Sequence, residues 1–386
     1  MFDESLLDDP DALSRADVHG LLRGAAESGA RVRTAARNAA EAGVGSLRPD
    51  GRPRALLVAG PGPAVGSTAD LLAALCGGSC PVTHLRPAGV APAPGALRWT
   101  LPGWTGPLDL LLVVSPDGTE PGLAQLLEAA YRRGCPVVCV TPAGSPLADA
   151  TAQARGLAVP LTSTSYEATM AGDDAPSGGE NVLPTGPGTL WSLLTPLLVL
   201  ADRIGLFDAP ASALDALADR LDELAERCGP AIATYSNPAK TLAAELADTL
   251  PLIWTEGDLA AAAGRRFSTV LAALAGRPAL AAELPEALTA HGTLLSGAFA
   301  AGADPEDFFR DRVEDPEALH ARVVLLRERA PAVTSPAPGA RDLALHRGTP
   351  ISELEAADDG TPLETAADLL AVTDFAAVYL ALAGTP

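Results

Sequence analysis

Two short turns in this sequence combine glycine with hydroxyl-bearing residues, a combination that holds phosphate through backbone amides and side-chain hydroxyls. The first turn reads Gly-Pro-Gly-Pro-Ala-Val-Gly-Ser from Gly60 to Ser67, after an apolar run that predicts a strand and before a predicted helix. In such a turn the backbone N–H groups and the positive end of the helix point at an anion. Gly62 and Ser67 are therefore candidate phosphate-binding residues.

The first turn fits neither of two common nucleotide-binding motifs. In the dinucleotide fingerprint the third glycine comes one residue earlier, and an acid, rather than Arg86 and Pro87, ends the next strand. A P-loop needs a lysine, and this turn has none. Two interpretations stay open, a cradle for a phosphate or sugar phosphate and a merely tight connection between strand and helix.

The second turn, Ser115 to Glu120, reads Ser-Pro-Asp-Gly-Thr-Glu and also joins a predicted strand to a predicted helix. The hydroxyls of Ser115 and Thr119, with Gly118 between them and the free amides of the helix, could hold a phosphate, although the same residue types also cap helices. Because the carboxyl ends of parallel strands meet at one edge of a sheet, the two turns should face the same crevice. This convergence favours a phosphorylated ligand.

Apolar runs that alternate with helix-length amphipathic segments predict the elements that position these turns. Strands that are apolar throughout are typical of parallel sheets covered on both faces. We predict strands at 54–59, 82–85, 109–115, 136–141, 251–254, 322–326 and 351–354. Helices are predicted within 1–45, from the first glycine turn to about 76, and at 120–133, 146–155, 189–206, 212–228, 238–249, 258–275 and 363–383. This pattern predicts a doubly wound α/β protein whose second half is a smaller, less regular copy of the first.

The same pattern predicts the domain organisation. We expect an N-terminal helical segment at 1–45, a first α/β domain at 46–205 and a second at 206–386. The stretch 161–188, rich in Ser, Thr, Gly, Pro and acids, predicts a long mobile loop, and 331–339 predicts a linker.

The charge of the chain excludes two classes of partner. With 48 Asp and Glu against 27 Lys and Arg, its formal net charge is −21. An acidic surface repels polyanions, so we expect no nucleic acid and no membrane as partner. The N-terminus lacks the basic start and apolar core of a signal peptide, and the apolar stretch 190–207 is interrupted by charges and Pro196. We therefore expect a cytoplasmic protein.

The cysteines predict neither disulfides nor metal. There are five, at spacings unlike paired zinc ligands, and Cys135 and Cys139 fall in a predicted buried strand, where cysteine acts as a small apolar residue. We expect no metal and no cofactor.

The two turns resemble the sugar isomerase (SIS) domain, whose second turn usually reads Ser-x-Ser-Gly-Asn-Thr-Glu. Ser115, Gly118, Thr119 and Glu120 match this turn, with one residue deleted and Asp117 in place of the second Ser. The strand and turn at 138–144 resemble the family's following turn, whose threonine is Thr141 here. Later segments resemble one subgroup, the dual-specificity phosphoglucose/phosphomannose isomerases, namely 193–206, 237–243, 283–286 with His291, and 369–383.

The resemblance implies two flavodoxin-like SIS domains in a homodimer that interconverts fructose 6-phosphate with glucose or mannose 6-phosphate. It also implies a hexose phosphate held by six residues of the turns, Gly62, Ser67, Ser115, Gly118, Thr119 and Thr141.

The positions that carry the chemistry of this subgroup differ here. The family uses a general-base Glu, a ring-opening His and Lys, and an Arg near the reacting carbons. Alignment places Ala273 at the Glu position and Pro187 near the Arg position, and the only lysine, Lys240, belongs to another motif. His291 and Glu286 remain as catalytic candidates. Two alternatives stay open, an aldose–ketose isomerase and a non-catalytic sugar-phosphate-binding or regulatory protein, and we expect binding rather than efficient turnover.

Overall fold

The computed structural model describes residues 2–48, 51–89, 95–161, 186–296, 299–300, 319–328, 335–357 and 360–384. The chain forms two compact units. The first-sheet unit is Arg23–Asp222, and the second-sheet unit combines Met1–Leu22 with Glu223–Pro386. The sequence pattern predicts boundaries at 45 and 205, whereas contacts divide the chain at 22 and 222. The difference arises because the helix that begins at Ser28 packs with the first sheet.

The elements of the two units follow one another along the chain. The strands are β1 (Leu56–Ala59), β2 (Val82–Leu85), β3 (Leu110–Val114), β4 (Val137–Pro142), β5 (Leu157–Leu161), β6 (Thr249–Glu256), β7 (Leu280–Glu283), β8 (His320–Arg327) and β9 (Ile351–Glu355). The α-helices are α1 (Pro10–Ala16), α2 (Leu21–Ala26), α3 (Ser28–Glu41), α4 (Pro63–Leu75), α5 (Pro121–Arg132), α6 (Pro146–Gln153), α7 (Thr189–Arg203), α8 (Ala211–Arg227), α9 (Pro238–Leu246), α10 (Asp258–Ala275), α11 (Glu286–Ala290), α12 (Ala337–His346) and α13 (Pro362–Ala383).

The first sheet is parallel throughout, with the strand order β2-β1-β3-β4-β5. Successive residues of a strand face opposite sides. Leu56 and Val58 pack with α4 and α7 on one side, while Leu57 and Ala59 pack with α5 and α6 on the other. Both faces of β1, β3 and β4 are buried, which is why these strands are almost entirely apolar. The edge strands β2 and β5 are only partly buried. The predicted doubly wound α/β fold, with flavodoxin-like strand order, is confirmed for this unit.

The second sheet repeats this plan with four strands in the part of the chain that the structure describes. Its order is β7-β6-β8-β9, again all parallel. As in the first sheet, the first strand lies inside the sheet, the second is added on one side of it, and the later strands are added on the other side. Helices α10 and α13 pack closely against each other beside it. Helix α13 is long and apolar enough to cross a membrane, and 83% of its most apolar window is buried within the protein. The predicted smaller copy of the first half is confirmed.

Four elements escaped the sequence pattern, namely β5, β7, α11 and α12. Strands β5 and β7 are short edge strands, in which only Val159 of β5 is fully buried. Helix α12 begins at Ala337, inside the predicted linker, which was wrong there. Most of the predicted loop at 161–188 lies outside the described residues.

The only lysine of the chain is fully buried in the second-sheet unit. The Nζ of Lys240 donates hydrogen bonds to the carbonyl oxygens of Leu7, Pro230 and Ile232, the last two at 2.7 Å. It also lies 5.5 Å from the ring centre of Tyr379, and burial lowers its pKa. One ammonium thus satisfies carbonyls from separate segments and ties the N-terminal segment into this unit.

We expect Lys240→Met to lower the free energy of unfolding, because the apolar side chain leaves buried carbonyl oxygens without a donor. Each unsatisfied buried acceptor costs about 1–3 kcal/mol. Denaturant unfolding followed by circular dichroism measures the loss. Arg132→Met, which removes an exposed cation from α5, is the control and should stay within about 0.5 kcal/mol of wild type. Equal effects of the two substitutions would contradict a structural role for Lys240.

Candidate functional site

Three loops of the first-sheet unit begin side by side at the carboxyl edge of the sheet, after β1, β3 and β4. Ala59 lies opposite Val113, and Val114 lies opposite Val140. Between β1 and β3 the strand order reverses, and ligands of open α/β sheets bind in the crevice at such a point. The two turns singled out in the sequence therefore do border one crevice.

The close approach of β1 to β3 requires glycine at position 60. A Cβ added to Gly60 would lie 1.9 Å from the carbonyl oxygen of Val114, a distance at which no side chain fits. Glycine is therefore required here by the neighbouring backbone rather than by its own dihedral angles. The first turn is shaped by strand pairing as well as by any ligand.

Gly62 and Ser67 have different positions relative to the crevice. Gly62 has φ +84° and precedes α4, whose amino end receives no side-chain cap from the described residues. The first backbone amides of α4 are therefore available to an anion. Ser67 lies one turn inside α4, is buried, and donates its hydroxyl to the carbonyl oxygen of Pro63 at 3.4 Å. The hydroxyl of Ser67 is thus turned back onto the helix.

The β3 loop is held by its own side chains. Ser115 is fully buried, and its hydroxyl accepts from the N–H of Gly118 at 3.0 Å and donates to Asp117 Oδ1 at 3.1 Å. The same Oδ1 accepts from the N–H of Thr119 at 3.1 Å. Thr119 itself is exposed at the rim. Two donors of this loop are thus already paired with Asp117.

Gly118 connects the β3 loop to the β4 loop. Its φ is +67°, and a Cβ there would lie 2.4 Å from Ser145 Oγ and 2.5 Å from Thr141 Oγ1. These two buried hydroxyls are 3.2 Å apart, and Ser145 also caps α6 by accepting from the N–H of Ala148. The backbone of the second turn therefore rests on a pair of hydroxyls.

Sequence reasoning found Thr141 but missed its partner Ser145. The Ser145-Pro146 pair is a typical helix start. Because capping alone explains a serine at this position, nothing in the sequence indicated that Ser145 lies in the crevice.

The charges around the crevice have both signs. Asp117 is exposed, and Glu120 caps α5 by accepting from the N–H of Gly122 at 3.2 Å. Arg86 directly follows β2, whose last residue pairs with Ala59, so it comes next to the first turn at the same edge. Burial, and secondarily the charge of Arg86, lower the pKa of His84 in the same strand. Arg86 is the cation that the sequence analysis used only to exclude a dinucleotide site.

The catalytic candidate His291 lies in the second-sheet unit, directly after α11, and is buried. Its Nδ1 accepts a hydrogen bond from Trp254 Nε1 at 3.0 Å. An indole N–H only donates, so Nδ1 carries no proton and the neutral ring holds its proton on Nε2. Burial lowers the pKa of His291, which favours this neutral form. In this tautomer His291 can donate a proton from Nε2 but has no free basic nitrogen.

Three further positions among the described residues of this unit do not supply an evident base. Glu286 is exposed at the first position of α11. Glu283 is exposed and paired with Arg265 at 2.8 Å. Ala273, at the position where the resemblance implies the general base, lies within α10. The structure therefore brings His291 and Glu286 to the two ends of one short helix, and their catalytic roles stay predictions.

One family model matches part of the chain. Residues 235–384 match the bacterial phospho-glucose isomerase C-terminal SIS domain. The matched range contains strands β6 to β9 together with Lys240 and His291, but it covers less than half of the chain. No curated protein matches the sequence.

Solved structures resemble the chain over most of its length. A Silicibacter pomeroyi protein assigned as a phosphosugar isomerase has 17% identity and a TM-score of 0.52, with 93% of this chain and 95% of that chain covered. A Clostridium difficile protein with the same assignment has 10% identity, a TM-score of 0.59 and coverage of 94% and 92%. A Salmonella typhimurium protein assigned as sugar-binding has 13% identity, a TM-score of 0.53 and coverage of 92% and 98%. At these identities the likeness establishes the fold.

We expect Gly118→Ala to lower the free energy of unfolding by about 1–3 kcal/mol, since alanine is strained at positive φ, and by more where the added carbon meets the two hydroxyls. Gly144→Ala is the matched control, because Gly144 has φ +71° but nothing within 4 Å of an added Cβ. Thermal unfolding compares the two. If both variants lose the same stability, the contact with Thr141 and Ser145 does not constrain the loop.

Proposed function

We propose that this SIS-domain protein, which is phosphoglucose-isomerase-like, binds the phosphate of a hexose phosphate at the carboxyl edge of its first sheet. The observation that carries the proposal is the packing of Gly118 against Thr141 and Ser145, beside the uncapped amino end of α4. It gathers hydroxyls and helix amides in a crevice at the point where strand order reverses. Such groups bind phosphate without needing lysine.

Arg86 adds a positive charge to the proposed phosphate site. It follows β2 at the edge that carries the first turn and is exposed. A guanidinium pairs well with phosphate because its N–H groups match two oxygens at once. We therefore propose Arg86 as a ligand-binding residue in addition to the turn residues Gly62, Ser115, Gly118, Thr119 and Thr141.

Asp117 opposes the binding of an anion. Its carboxylate takes the N–H of Thr119 and the hydroxyl of Ser115, both of which would otherwise be free to donate to a phosphate. Its charge also repels the ligand, by about 1–4 kcal/mol at 4 Å depending on solvent exposure. We therefore propose a low affinity for the hexose phosphate in the wild-type chain.

We expect the affinity for glucose 6-phosphate to fall about tenfold in Thr119→Val and in Arg86→Ala, each of which removes a donor to a charged group. Asp117→Asn should raise the affinity about tenfold, because it removes the charge and keeps the shape of the side chain. Isothermal titration calorimetry measures all three, with Arg132→Ala as an exposed control and glucose as the ligand that lacks phosphate.

The proposed site is wrong if no hexose phosphate raises the melting temperature and Thr119→Val changes nothing. Binding that weakens equally in Arg132→Ala would indicate general electrostatic attraction.

Aldose–ketose isomerisation is the alternative function, and one observation favours it. The reaction opens the sugar ring and then moves a proton between adjacent carbons, so it needs a proton donor and a base. The Trp254 hydrogen bond prepares His291 as a donor through Nε2. A base is not equally evident, because Ala273 stands at the position implied by the resemblance. We therefore propose binding with inefficient turnover, and a homodimer stays a prediction of the resemblance.

We expect a coupled assay with glucose 6-phosphate and mannose 6-phosphate to show a rate about 10²–10⁴ below that of an isomerase with its general base. His291→Asn tests the alternative, with the exposed His346→Asn as its control. A high rate that disappears in His291→Asn and persists in His346→Asn would replace the binding proposal with the isomerase. Binding without turnover supports the proposal.

A further inference from the structure

The second sheet has its own crevice at the point where its strand order reverses, between β6 and β8. Glu256 lies opposite Arg327 at the end of these strands, so Gly257 and Glu328 come next. Helix α10 begins immediately afterwards at Asp258. The arrangement repeats that of β1, β3 and α4 in the first-sheet unit.

The glycines that precede the two helices have the same backbone conformation. Gly62 has φ +84° and ψ 164°, and Gly257 has φ +102° and ψ 159°. Neither helix receives a cap from the side chain of its own preceding residue. The second connection is shorter, with one residue between strand and helix where the first has three. Each helix therefore points its amino end into its crevice.

In the second crevice this position is occupied by a carboxylate of the chain. Glu328 accepts hydrogen bonds from the backbone amides of Asp258 and Leu259 in the first turn of α10. Its Oε1 lies 1.7 Å from where a Cβ on Gly257 would be, so only glycine leaves room for it. The side chain is half-buried. An oxyanion bound at a helix amino end makes these same contacts.

Other acids lie near the ends of these strands. Glu256 is buried, pairs through Oε2 with Arg327 Nε at 2.8 Å, and its Oε1 has no hydrogen-bond partner among the described residues. Glu355 approaches the same guanidinium at 3.4 Å. Asp258 adds a negative charge beside Glu328, so a second anion at the start of α10 would meet two carboxylates.

We infer that Glu328 is an internal ligand: its carboxylate takes the place of a bound oxyanion in the crevice of the second sheet and closes that crevice to phosphate. Each chain then binds one hexose phosphate, at the first sheet. The count of one ligand rests on the proposed function, whereas the closure of the second crevice does not. Removing the carboxylate should expose a latent site for a small oxyanion.

Amide resonances test the inference residue by residue, with inorganic phosphate as the probe and sodium chloride at equal ionic strength as the reference. In wild type the amides of Asp258 and Leu259 should not shift with phosphate. In Glu328→Ala they should shift, and phosphate should raise the melting temperature of this variant by about 2–4 °C. Glu328→Ser, which vacates the crevice but keeps a hydroxyl, should behave in the same way and serves if the alanine variant does not fold.

Two controls separate closure from a general loss of acidity. Glu328→Gln still fills the crevice, and Glu355→Ala removes an acid that does not contact α10, so neither should show the phosphate shift at Asp258 and Leu259. The inference is overturned if these amides shift in wild type, if they stay unmoved in both vacating variants, or if Glu355→Ala shifts them equally. The amide of Gly118 reports the first crevice in the same spectra, so failure of the proposed function is seen separately.

Discussion

Both sheets share one steric constraint, a glycine after the strand where their order reverses, with a neighbouring group lying where its Cβ would be. At Gly60 this group is the carbonyl oxygen of Val114, so only glycine lets β1 and β3 pair in this register. At Gly257 it is the carboxylate of Glu328, the far end of a side chain. This constraint brings helix amino ends and neighbouring loops into one crevice, so the possible sites follow from it.

The two crevices differ in what fills them. The first contains the hydroxyls of Ser115, Thr141 and Ser145 and leaves the start of α4 uncapped. The second contains Glu328, which caps α10 as a ligand would. A helix amino end has the same need for negative charge in both cases. A duplicated fold can therefore keep one open site and satisfy the other from within the chain.

Much of the fold was predictable because buried parallel strands leave a plain mark, an apolar run of four to six residues bounded by turn residues. That mark located seven of the strands and, with helical periodicity, most helices. It failed at β5, β7, α11 and α12, which are short or only partly buried. At the site, Gly118 and Thr141 were recognised, whereas Ser145 and Arg86 were missed, because a helix cap and a strand-end arginine look ordinary without their neighbours.

The sequence by itself determined the α/β class, the two glycine turns and the absence of any lysine other than Lys240 that could assist catalysis. Only the tertiary structure decided which groups meet. Lys240 contacts a carbonyl oxygen 233 residues away in the sequence. The tautomer of His291 is set by a hydrogen bond from Trp254, 37 residues away. Glu328 contacts the start of α10 only because β6 and β8 lie side by side in the second sheet. Such contacts depend on strand register and on how helices pack, which local periodicity does not encode.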